Sequence, residues 1–252
     1  MHPHAMAERT RPIRTQKAGA CALCLAQRDL CKSHIIPEFA YKPLYDDDHK
    51  MIAFEPSEVD QPWKEQKGFR DRLLCSQCES FLNKSYEDPF NQFWFTRRIL
   101  DGRPDGEAAL LNGIPYAAFK LFHLSVLWRA SVCQNPVFGR VDLGPHNDRI
   151  RRMLLAGDPG RHTDYPIICA MVTNESRPAL NLITSPLRLR YEGHTGYLFT
   201  FAGCQWLYYA SSHSHPKIEL LSLKEDGTLQ VFRRDVAEVF RSYRIRTRRG
   251  AG

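Results

Sequence analysis

The amino-acid sequence predicts an α+β protein, and three observations support this fold class. Two cysteine pairs with metal-ligand spacing, Cys21/Cys24 and Cys75/Cys78, lie in the first third of the chain. The segment 116–133 is densely apolar, which predicts a core helix. In the last third, short runs rich in β-branched and aromatic residues are separated by turn residues, which predicts an antiparallel sheet. Helices followed by a run of strands are typical of α+β folds.

The chain of 252 residues divides by composition into three predicted segments. Residues 1–19 are polar and basic, which predicts a disordered lead. Residues 20–95 contain both cysteine pairs and are predicted to form one small unit, whereas residues 96–252 lack a ligand cluster and are predicted to form an α+β region. A chain of this length can bury a core without the help of disulfides.

Composition and charge limit the function classes. The hydrophobic fraction of 43% and the charged fraction of 25% are typical of a soluble globular protein. No apolar run is long enough to span a membrane and no secretory signal is present, so the sequence predicts a cytoplasmic protein that does not contact membranes. The net charge of +7 is compatible with a polyanionic partner such as nucleic acid. The absence of a phosphate-binding glycine loop and of a nucleophile-elbow motif argues against nucleotide-cofactor enzymes and serine hydrolases.

The first unit has a predicted order of short elements. Residues 51–56 predict a strand, and residues 55–71, which are polar with two prolines and a glycine, predict a loop. Two apolar residues, Leu73 and Leu74, lead directly into the second cysteine pair. Apolar and aromatic residues then recur over 79–93 with roughly helical spacing, interrupted by Pro89.

The C-terminal region is predicted to begin with helices and to continue with strands. Helices are predicted over 116–133 and over 145–157, the second ending at Gly157. A further helix is predicted over 233–246. The strands between them are predicted within 163–173, 180–193, 195–211 and 217–224.

The two cysteine pairs predict a structural zinc site. Two such pairs brought together give the tetrahedral four-thiolate site of structural zinc. Fifty residues separate the pairs, so the insert must hold more than a loop. The second pair follows an apolar step and opens a helix, which predicts a treble-clef arrangement. Chance spacing among eight cysteines is the alternative, and a redox pair lacks the expected strand–helix context.

His34 lies between the two pairs, in the run Ser33-His34-Ile35-Ile36-Pro37. Taken alone, it can be a zinc ligand, a catalytic base or a packed core residue. The order Cys-x2-Cys, His-Ile-Ile-Pro, Leu-Leu-Cys-x2-Cys and then asparagine resembles the HNH endonucleases that carry a structural zinc. The resemblance covers about residues 20–90 and implies a ββα-metal finger. In that fold one divalent metal lies between strand and helix, against the scissile phosphate.

The resemblance implies roles for individual residues of this chain. His34 stands at the position of the general base, and Pro37 matches the proline of the family. Asn83 stands where the helix often supplies a metal ligand. The structural zinc ligands are implied to be the four paired cysteines, Cys21, Cys24, Cys75 and Cys78. Histidine titrates near neutral pH and can take a proton from water, which fits the implied role of His34.

The sequence departs from the family pattern at several metal-site positions. Ser33 stands where a metal-binding aspartate is usual. Arg70 and Asp71 stand near the expected position of a middle asparagine, and Glu79 stands where histidine or asparagine is common.

Three oxygen-bearing residues are the predicted ligands of the catalytic metal. Glu79, Asn83 and Glu87 are spaced by four, so they share one face of a helix. Oxygen ligands suit Mg²⁺, Mn²⁺ or another hard divalent ion, and Glu79 is predicted to replace the missing aspartate. A solvated helix face is the alternative interpretation of the two glutamates.

Three cations follow on the same segment. Lys84, Arg97 and Arg98 are predicted to contact phosphates, which positions a nucleic acid without reading its sequence. Ordinary surface charge is the alternative explanation.

Two functional hypotheses follow from the sequence. The first is a metal-dependent HNH-type endonuclease that hydrolyses nucleic acid, with DNA favoured over RNA. The second is a non-catalytic treble-clef zinc protein that binds nucleic acid or a protein partner. Residues 96–252 are predicted to bind substrate, to form a homodimer or to hold a regulator, and these three alternatives stay open. A nuclease joined to a sensing region would also suit a role in phage defence.

Overall fold

The computed structural model of the chain describes residues 17–53, 63–97, 99, 108–174, 181–211, 213 and 215–243. Helices and several sheets are combined along the chain, which confirms the predicted α+β class. None of the helices within these ranges is both long and apolar enough to cross a lipid bilayer.

The described elements follow one another in a mixed order. The strands are β1 Lys17–Ala20, β2 Gln27–His34, β3 Lys50–Ala53, β4 Trp63–Gln66, β5 Arg70–Cys75, β6 Ala108–Leu111, β7 Ile167–Thr173, β8 Thr184–Tyr191, β9 His194–Phe201, β10 Cys204–Tyr209 and β11 Leu229–Asp235. The helices are α1 Glu38–Tyr41, α2 Ser76–Leu82, α3 Asp88–Asn91, α4 Tyr116–Val132, α5 His146–Ala156, α6 Pro216–Leu221 and α7 Val236–Ser242. Short 3-10 turns lie at Lys42–Leu44 and Pro136–Phe138, and π turns lie at Asn83–Glu87 and Gln92–Thr96.

The N-terminal part contains a small antiparallel sheet in the order β1-β2-β5. Strand β2 ends at His34, which lies opposite Arg70 at the start of β5. Strand β5 then runs back along β2 and leads without a loop into α2. The segment between the two strands contains α1 and a separate two-stranded hairpin of β3 and β4.

The C-terminal part contains a six-stranded sheet in the order β6-β11-β7-β10-β9-β8. The pairing of β11 with β7 is parallel, whereas the other described pairings in this sheet are antiparallel. The sequence predicted an antiparallel sheet, and this prediction is wrong for one pair. The connection through α6 carries the chain across the sheet, so that β11 enters in the same direction as β7.

Helix α4 lies at the centre of the molecule. Every residue from Phe119 to Ala130 is buried, including Lys120 and Arg129. A helix that is apolar on all sides is expected in the interior, so the predicted core helix over 116–133 is confirmed. The predicted helix over 145–157 is also confirmed as α5, and Gly157 ends it in a left-handed conformation.

Aromatic side chains join α4 to the elements on both sides. The ring of Phe122 stacks on Phe90 of α3 with centroids 3.8 Å apart. His123 lies 4.2 Å from the Trp206 ring, and its Nδ1 is 2.9 Å from the Tyr208 hydroxyl. Burial lowers the pKa of His123, so the ring stays neutral in the core. His123 is therefore a buried histidine whose Nδ1 has a hydrogen-bond partner on β10.

Three predictions about short elements in the N-terminal part are corrected by the structure. Lys17–Ala20 pairs with β2, although residues 1–19 were predicted to be disordered; residues 1–16 lie outside the described ranges. Trp63–Gln66 forms a strand within the predicted loop 55–71. It pairs with β3 through backbone hydrogen bonds, and the polar residues of the segment do not indicate this pairing. Pro89 does not interrupt the helical path, since it lies in the first turn of α3, where its missing N–H is tolerated.

Two predictions near the C-terminus are also wrong. The segment 217–224 was predicted as a strand, but Pro216 begins helix α6, and the Glu219 carboxylate accepts a hydrogen bond from the His215 N–H at 2.9 Å. The predicted helix over 233–246 begins only at Val236. Asp235 is its N-cap and accepts from the Ala237 N–H at 2.8 Å, so the preceding arginines belong to β11.

Candidate metal centre and the His34 site

The four paired cysteines meet at one point. Their Sγ atoms all lie within 4.8 Å of one another, and Cys24 Sγ is 4.0 Å from Cys75 Sγ. A tetrahedral zinc ion with Zn–S bonds of about 2.3 Å requires sulfur atoms about 3.8 Å apart. The arrangement is therefore compact enough for four thiolates to share one such ion.

Local backbone structure brings the two pairs together. Cys21 and Cys24 lie in the tight turn between β1 and β2, where the Leu25 N–H donates to the Cys21 carbonyl at 2.8 Å. Cys75 ends β5 and Cys78 lies in the first turn of α2. The Cys75 N–H donates to Cys21 Sγ at 3.3 Å, as expected for a thiolate that accepts backbone hydrogen bonds.

The protonation chemistry of the cysteines fits a bound cation. Burial raises the pKa of Cys78, and its contacts with the other three cysteines raise it further. Thiolates at this density therefore need a positive charge between them, which a divalent ion supplies. Soft sulfur ligands in a four-fold set favour zinc over magnesium or calcium. These cysteines would hold a zinc ion and connect the β1–β2 turn to the start of α2.

The His34 side chain lies beside the carboxylate of α1. Its Nε2 is 2.6 Å from Glu38 Oε2 and 2.9 Å from the Lys67 carbonyl oxygen. The Lys67 carbonyl accepts a hydrogen bond from Nε2, so Nε2 carries a proton. Glu38 Oε2 makes a close ion-pair contact with Nε2 but no hydrogen bond. No hydrogen bond to Nδ1 occurs among the residues that the structure describes. The side chain is 23% exposed, so part of the ring meets solvent.

Neighbouring groups fix the orientation of the His34 ring. Tyr45 donates its hydroxyl hydrogen to Glu38 Oε1 at 3.1 Å and so holds the carboxylate that faces His34. Lys67 and Gly68 both have a positive φ, and this tight turn presents the Lys67 carbonyl to the ring. A Cβ at Gly68 would lie 2.7 Å from the Tyr41 ring, so the close packing requires glycine there.

The residue before His34 points to helix α2. Ser33 is fully buried, and its hydroxyl donates to Glu79 Oε2 at 2.6 Å. Ser33 and Glu79, the predicted replacement for the missing aspartate, therefore lie together between β2 and α2, on the face of β2 opposite to His34. Asp71, on β5, accepts from the Gln134 N–H at 2.6 Å beyond the end of α4.

The other predicted metal ligands have protein partners. Glu87 Oε1 lies 2.7 Å from Arg129 Nη2 on α4, in a pair whose side chains are 13% and 1% exposed. Asn83 is exposed, and its Nδ2 donates to Asp88 Oδ2 at 3.3 Å. Among the residues that the structure describes, the four cysteines are the only group of three or more His, Cys, Asp or Glu side chains placed to share a metal.

Arg129 connects Glu87 to the His34 strand. Its Nη1 donates to the His34 carbonyl at 2.8 Å, and its Nε donates to the Ser125 carbonyl at 3.3 Å. The buried guanidinium therefore has hydrogen-bond partners on several sides. Its planar group of N–H donors reaches these partners better than a lysine ammonium would.

Replacing Arg129 by methionine is expected to lower the free energy of unfolding by about 3–5 kcal/mol, because Glu87 would remain as a buried charge without a partner. Urea denaturation would measure the change. The double variant Arg129→Met/Glu87→Met should be less destabilised than Arg129→Met, since no charge is left unpaired. Equal stability of Arg129→Met and the wild type would contradict this role.

The predicted phosphate-binding cations lie apart from this network. Lys84 and Arg97 are exposed, and the Arg97 guanidinium lies 5.0 Å from the centroid of the Phe93 ring. Arg98 lies outside the described residues.

A polar groove of about 360 Å³ lies along the hairpin of β2 and β5. Lys32 pairs with Arg72 and His34 pairs with Arg70, and opposite residues in an antiparallel pair have side chains on the same face. Three cations and His34 therefore share one face of the hairpin. The groove is lined by Lys32, Glu65, Gly68, Phe69, Arg70, Asp71, Arg72 and Asn135.

Comparison with protein-family models, with curated proteins and with solved structures found no match for this chain.

Sequence reasoning missed three groups that act on His34. Glu38 follows His34 by four residues and begins α1 directly after Pro37. A proline followed by an acidic residue at a helix start is a signal that can be found in the sequence. The Lys67 carbonyl belongs to the backbone and has no sequence signal. Arg129 lies 95 residues further along the chain, so only the folded structure brings it to the His34 carbonyl.

Proposed function

We propose that this chain is a metal-dependent endonuclease of the HNH type, which hydrolyses nucleic-acid phosphodiesters with His34 as the general base. One observation carries the proposal. His34 ends the first strand of a hairpin whose second strand leads through Cys75 into α2, with the four-cysteine group at the junction. This order of strand, strand and helix is the one that a ββα-metal finger requires.

The contacts of the His34 ring support the role of a base. Nε2 donates to the Lys67 carbonyl, so in the neutral ring the Nδ1 lone pair would take the proton from water. As the water oxygen attacks phosphorus, its proton passes to Nδ1, and the bond from phosphorus to the leaving sugar oxygen breaks. The leaving oxygen then gains a proton from solvent. The Glu38 carboxylate stabilises the imidazolium that His34 becomes in this step.

Glu79 and Asn83 would hold the second, catalytic cation. Magnesium sites commonly use one or two protein oxygens and complete the coordination with water and phosphate oxygens, so two ligands from α2 and the following π turn are compatible with such an ion. Mg²⁺ or Mn²⁺ bound there would supply positive charge to neutralise a phosphodiester, from the side of β2 that Ser33 shares with α2. Glu87 is less suited, because Arg129 already occupies its carboxylate.

The basic face of the hairpin supports a nucleic-acid substrate. Lys32, Arg70 and Arg72 lie on the same face as His34, so a phosphate bound by them would lie beside the base. The net charge of +7 also favours binding to polyanions. We favour DNA as the substrate, and the groove would contact its backbone without reading bases.

The test is a cleavage assay with the zinc-loaded full-length chain. Supercoiled plasmid and labelled single strands of DNA and RNA are incubated with Mg²⁺, with Mn²⁺ or with no added divalent ion. We expect nicked and linear plasmid only with the added ion. Zinc content is measured in each sample, so that loss of the structural ion is not mistaken for loss of the catalytic one. Cleavage of RNA alone would reassign the substrate.

The second candidate is a zinc protein that binds nucleic acid or a protein partner without cleaving. It is favoured by the single metal-ligand group found in the described parts of the chain. Folded, zinc-loaded protein that shifts labelled DNA in a binding assay but leaves all substrates intact would support this candidate over the endonuclease.

A further inference from the structure

Strand β8 forms one edge of the six-stranded sheet and carries two exposed arginines. Arg188 lies opposite Tyr197 of β9, and Arg190 lies opposite Thr195. Opposite residues of an antiparallel pair have side chains on the same face, so both arginines share the face of the sheet that Tyr197 occupies. Burial raises the pKa of Tyr197, and the Arg188 guanidinium is close enough to oppose this rise. This edge of the sheet is therefore positively charged.

A third exposed arginine, Arg140, lies near the start of the same strand. It follows the 3-10 turn Pro136–Phe138, which lies against β8. The hydroxyl of Tyr243 contacts that of Thr184, the first residue of β8. Burial raises the pKa of Tyr243, and Arg140 is one of the positive charges that oppose this rise. Arg140 is therefore close to the end of β8 that begins at Thr184.

The three arginines have no acidic partner. Within the part of the chain that the structure describes, no ion pair involves Arg140, Arg188 or Arg190. The exposed carboxylates of Asp142 and Glu192 reduce the positive charge of this region but do not cancel it. The three guanidinium groups are therefore available to bind anions.

One short segment connects this edge to the polar groove of the β2–β5 hairpin. The Gln134 N–H donates to Asp71 of β5 at 2.6 Å, and Asn135 lines the groove. Further along, the Asp142 N–H donates to the Tyr197 hydroxyl at 3.2 Å. The steps from Asn135 to Asp142 span at most about 25 Å, which is less than one turn of a DNA duplex at about 34 Å. The groove and the basic edge are therefore within reach of one duplex.

We propose that Arg140, Arg188 and Arg190 form a second binding region for the phosphate backbone of duplex DNA, which continues the basic face of the hairpin. The identity of this partner rests on the proposed function, since the duplex that lies beside His34 is the one that reaches β8. Arginine suits this role because its planar group of N–H donors binds phosphate oxygens in pairs. The contact would hold the duplex without reading its sequence, and it gives residues 96–252 a substrate-binding role.

Protection of the sheet edge is the competing explanation of these charges. Charged side chains on an edge strand prevent its pairing with another chain. This explanation accounts for Arg188 and Arg190, which belong to β8, but not for Arg140, which belongs to the neighbouring segment. It also predicts no effect of the arginines on DNA binding.

The test measures binding of a fluorescent DNA duplex of about two helical turns to the zinc-loaded full-length chain. Anisotropy is recorded without added divalent ion, between about 50 and about 200 mM salt. Each phosphate contact contributes about 0.9 to the slope of log K against log salt, so Arg140→Gln/Arg188→Gln/Arg190→Gln should reduce the slope by about 2.7. Over this fourfold change in salt, the ratio of wild-type to variant affinity should then fall by about fortyfold.

Arg152→Gln/Arg161→Gln/Lys217→Gln is the matched control, because it removes the same charge from exposed positions on other parts of the chain. It should keep the wild-type slope, and circular dichroism confirms that both variants are folded. A wild-type slope in the Arg140/Arg188/Arg190 variant overturns the proposal, and so does a folded wild type that binds no duplex.

This proposal and the proposed function fail in different ways. If the wild type nicks plasmid with Mg²⁺ but the arginine variant keeps the wild-type slope, the endonuclease stands and this binding region is overturned. If the slope falls as expected but no substrate is cleaved, the binding region stands and the endonuclease is overturned in favour of the second candidate.

Discussion

Replacing Cys75 by serine is expected to reduce the zinc content from one ion per chain to nearly none and to abolish cooperative folding of the N-terminal part. Cys75 ends β5, faces Cys24 at 4.0 Å and donates its N–H to Cys21, so it links both halves of the metal centre. Zinc binding in small structural sites amounts to about 10–16 kcal/mol, which is comparable with the whole stability of a domain at about 5–15 kcal/mol. Zinc analysis and thermal unfolding would measure both effects.

Cys31→Ser is the matched control for this experiment. Cys31 lies on β2 close to the metal centre, and burial together with Glu79, Cys75 and Cys21 raises its pKa. It is nevertheless not part of the four-cysteine group. We expect Cys31→Ser to keep its zinc and to unfold within a few degrees of the wild type. A Cys75→Ser protein that keeps a full equivalent of zinc would contradict the proposed metal centre.

Replacing His34 by alanine is expected to reduce phosphodiester cleavage by about two to four orders of magnitude, the usual contribution of a general base. The effect should appear in kcat, because the side chain acts on the water and the basic groove binds the substrate. The fold should survive, since Arg129 binds the backbone carbonyl of His34, which alanine retains. Initial rates on supercoiled plasmid, together with thermal unfolding, would separate activity from stability.

His162→Ala provides the matched control for the loss of an imidazole. His162 is also paired with a carboxylate, at 3.2 Å from Glu225, but it lies in the loop after α5. We expect this variant to cleave at the rate of the wild type. Equal rates for His34→Ala and the wild type would remove His34 from the reaction even if cleavage itself is real.

The metal centre and the central helices could be predicted from sequence because their signals are local. The spacing within each cysteine pair fits one metal knuckle, and the four sulfur atoms indeed lie together. The apolar density of α4 and the glycine after α5 are likewise properties of short segments. Runs of β-branched and aromatic residues between turn residues also marked strands of the six-stranded sheet.

The remaining features depend on partners that are distant in sequence. The residues Lys64–Gln66 of β4 are polar, so the usual alternation of apolar and polar residues is absent. Helix α6 has only six residues, too few to show a helical period, and its proline and its Glu219 contact decide its conformation. The partner of Glu87 comes from α4, and no local pattern distinguishes a glutamate that binds a buried arginine from one that binds a metal.

Because Arg129 contacts both His34 and Glu87, the N-terminal part that contains His34 cannot be separated from α4 without losing these contacts. The guanidinium that binds the His34 carbonyl and the Glu87 carboxylate belongs to α4, the helix that also packs His123 against the six-stranded sheet. A gene fragment that ended at residue 95 would lose both contacts and would expose the aromatic surface around Phe90. The two parts of the chain are therefore expected to be inherited together.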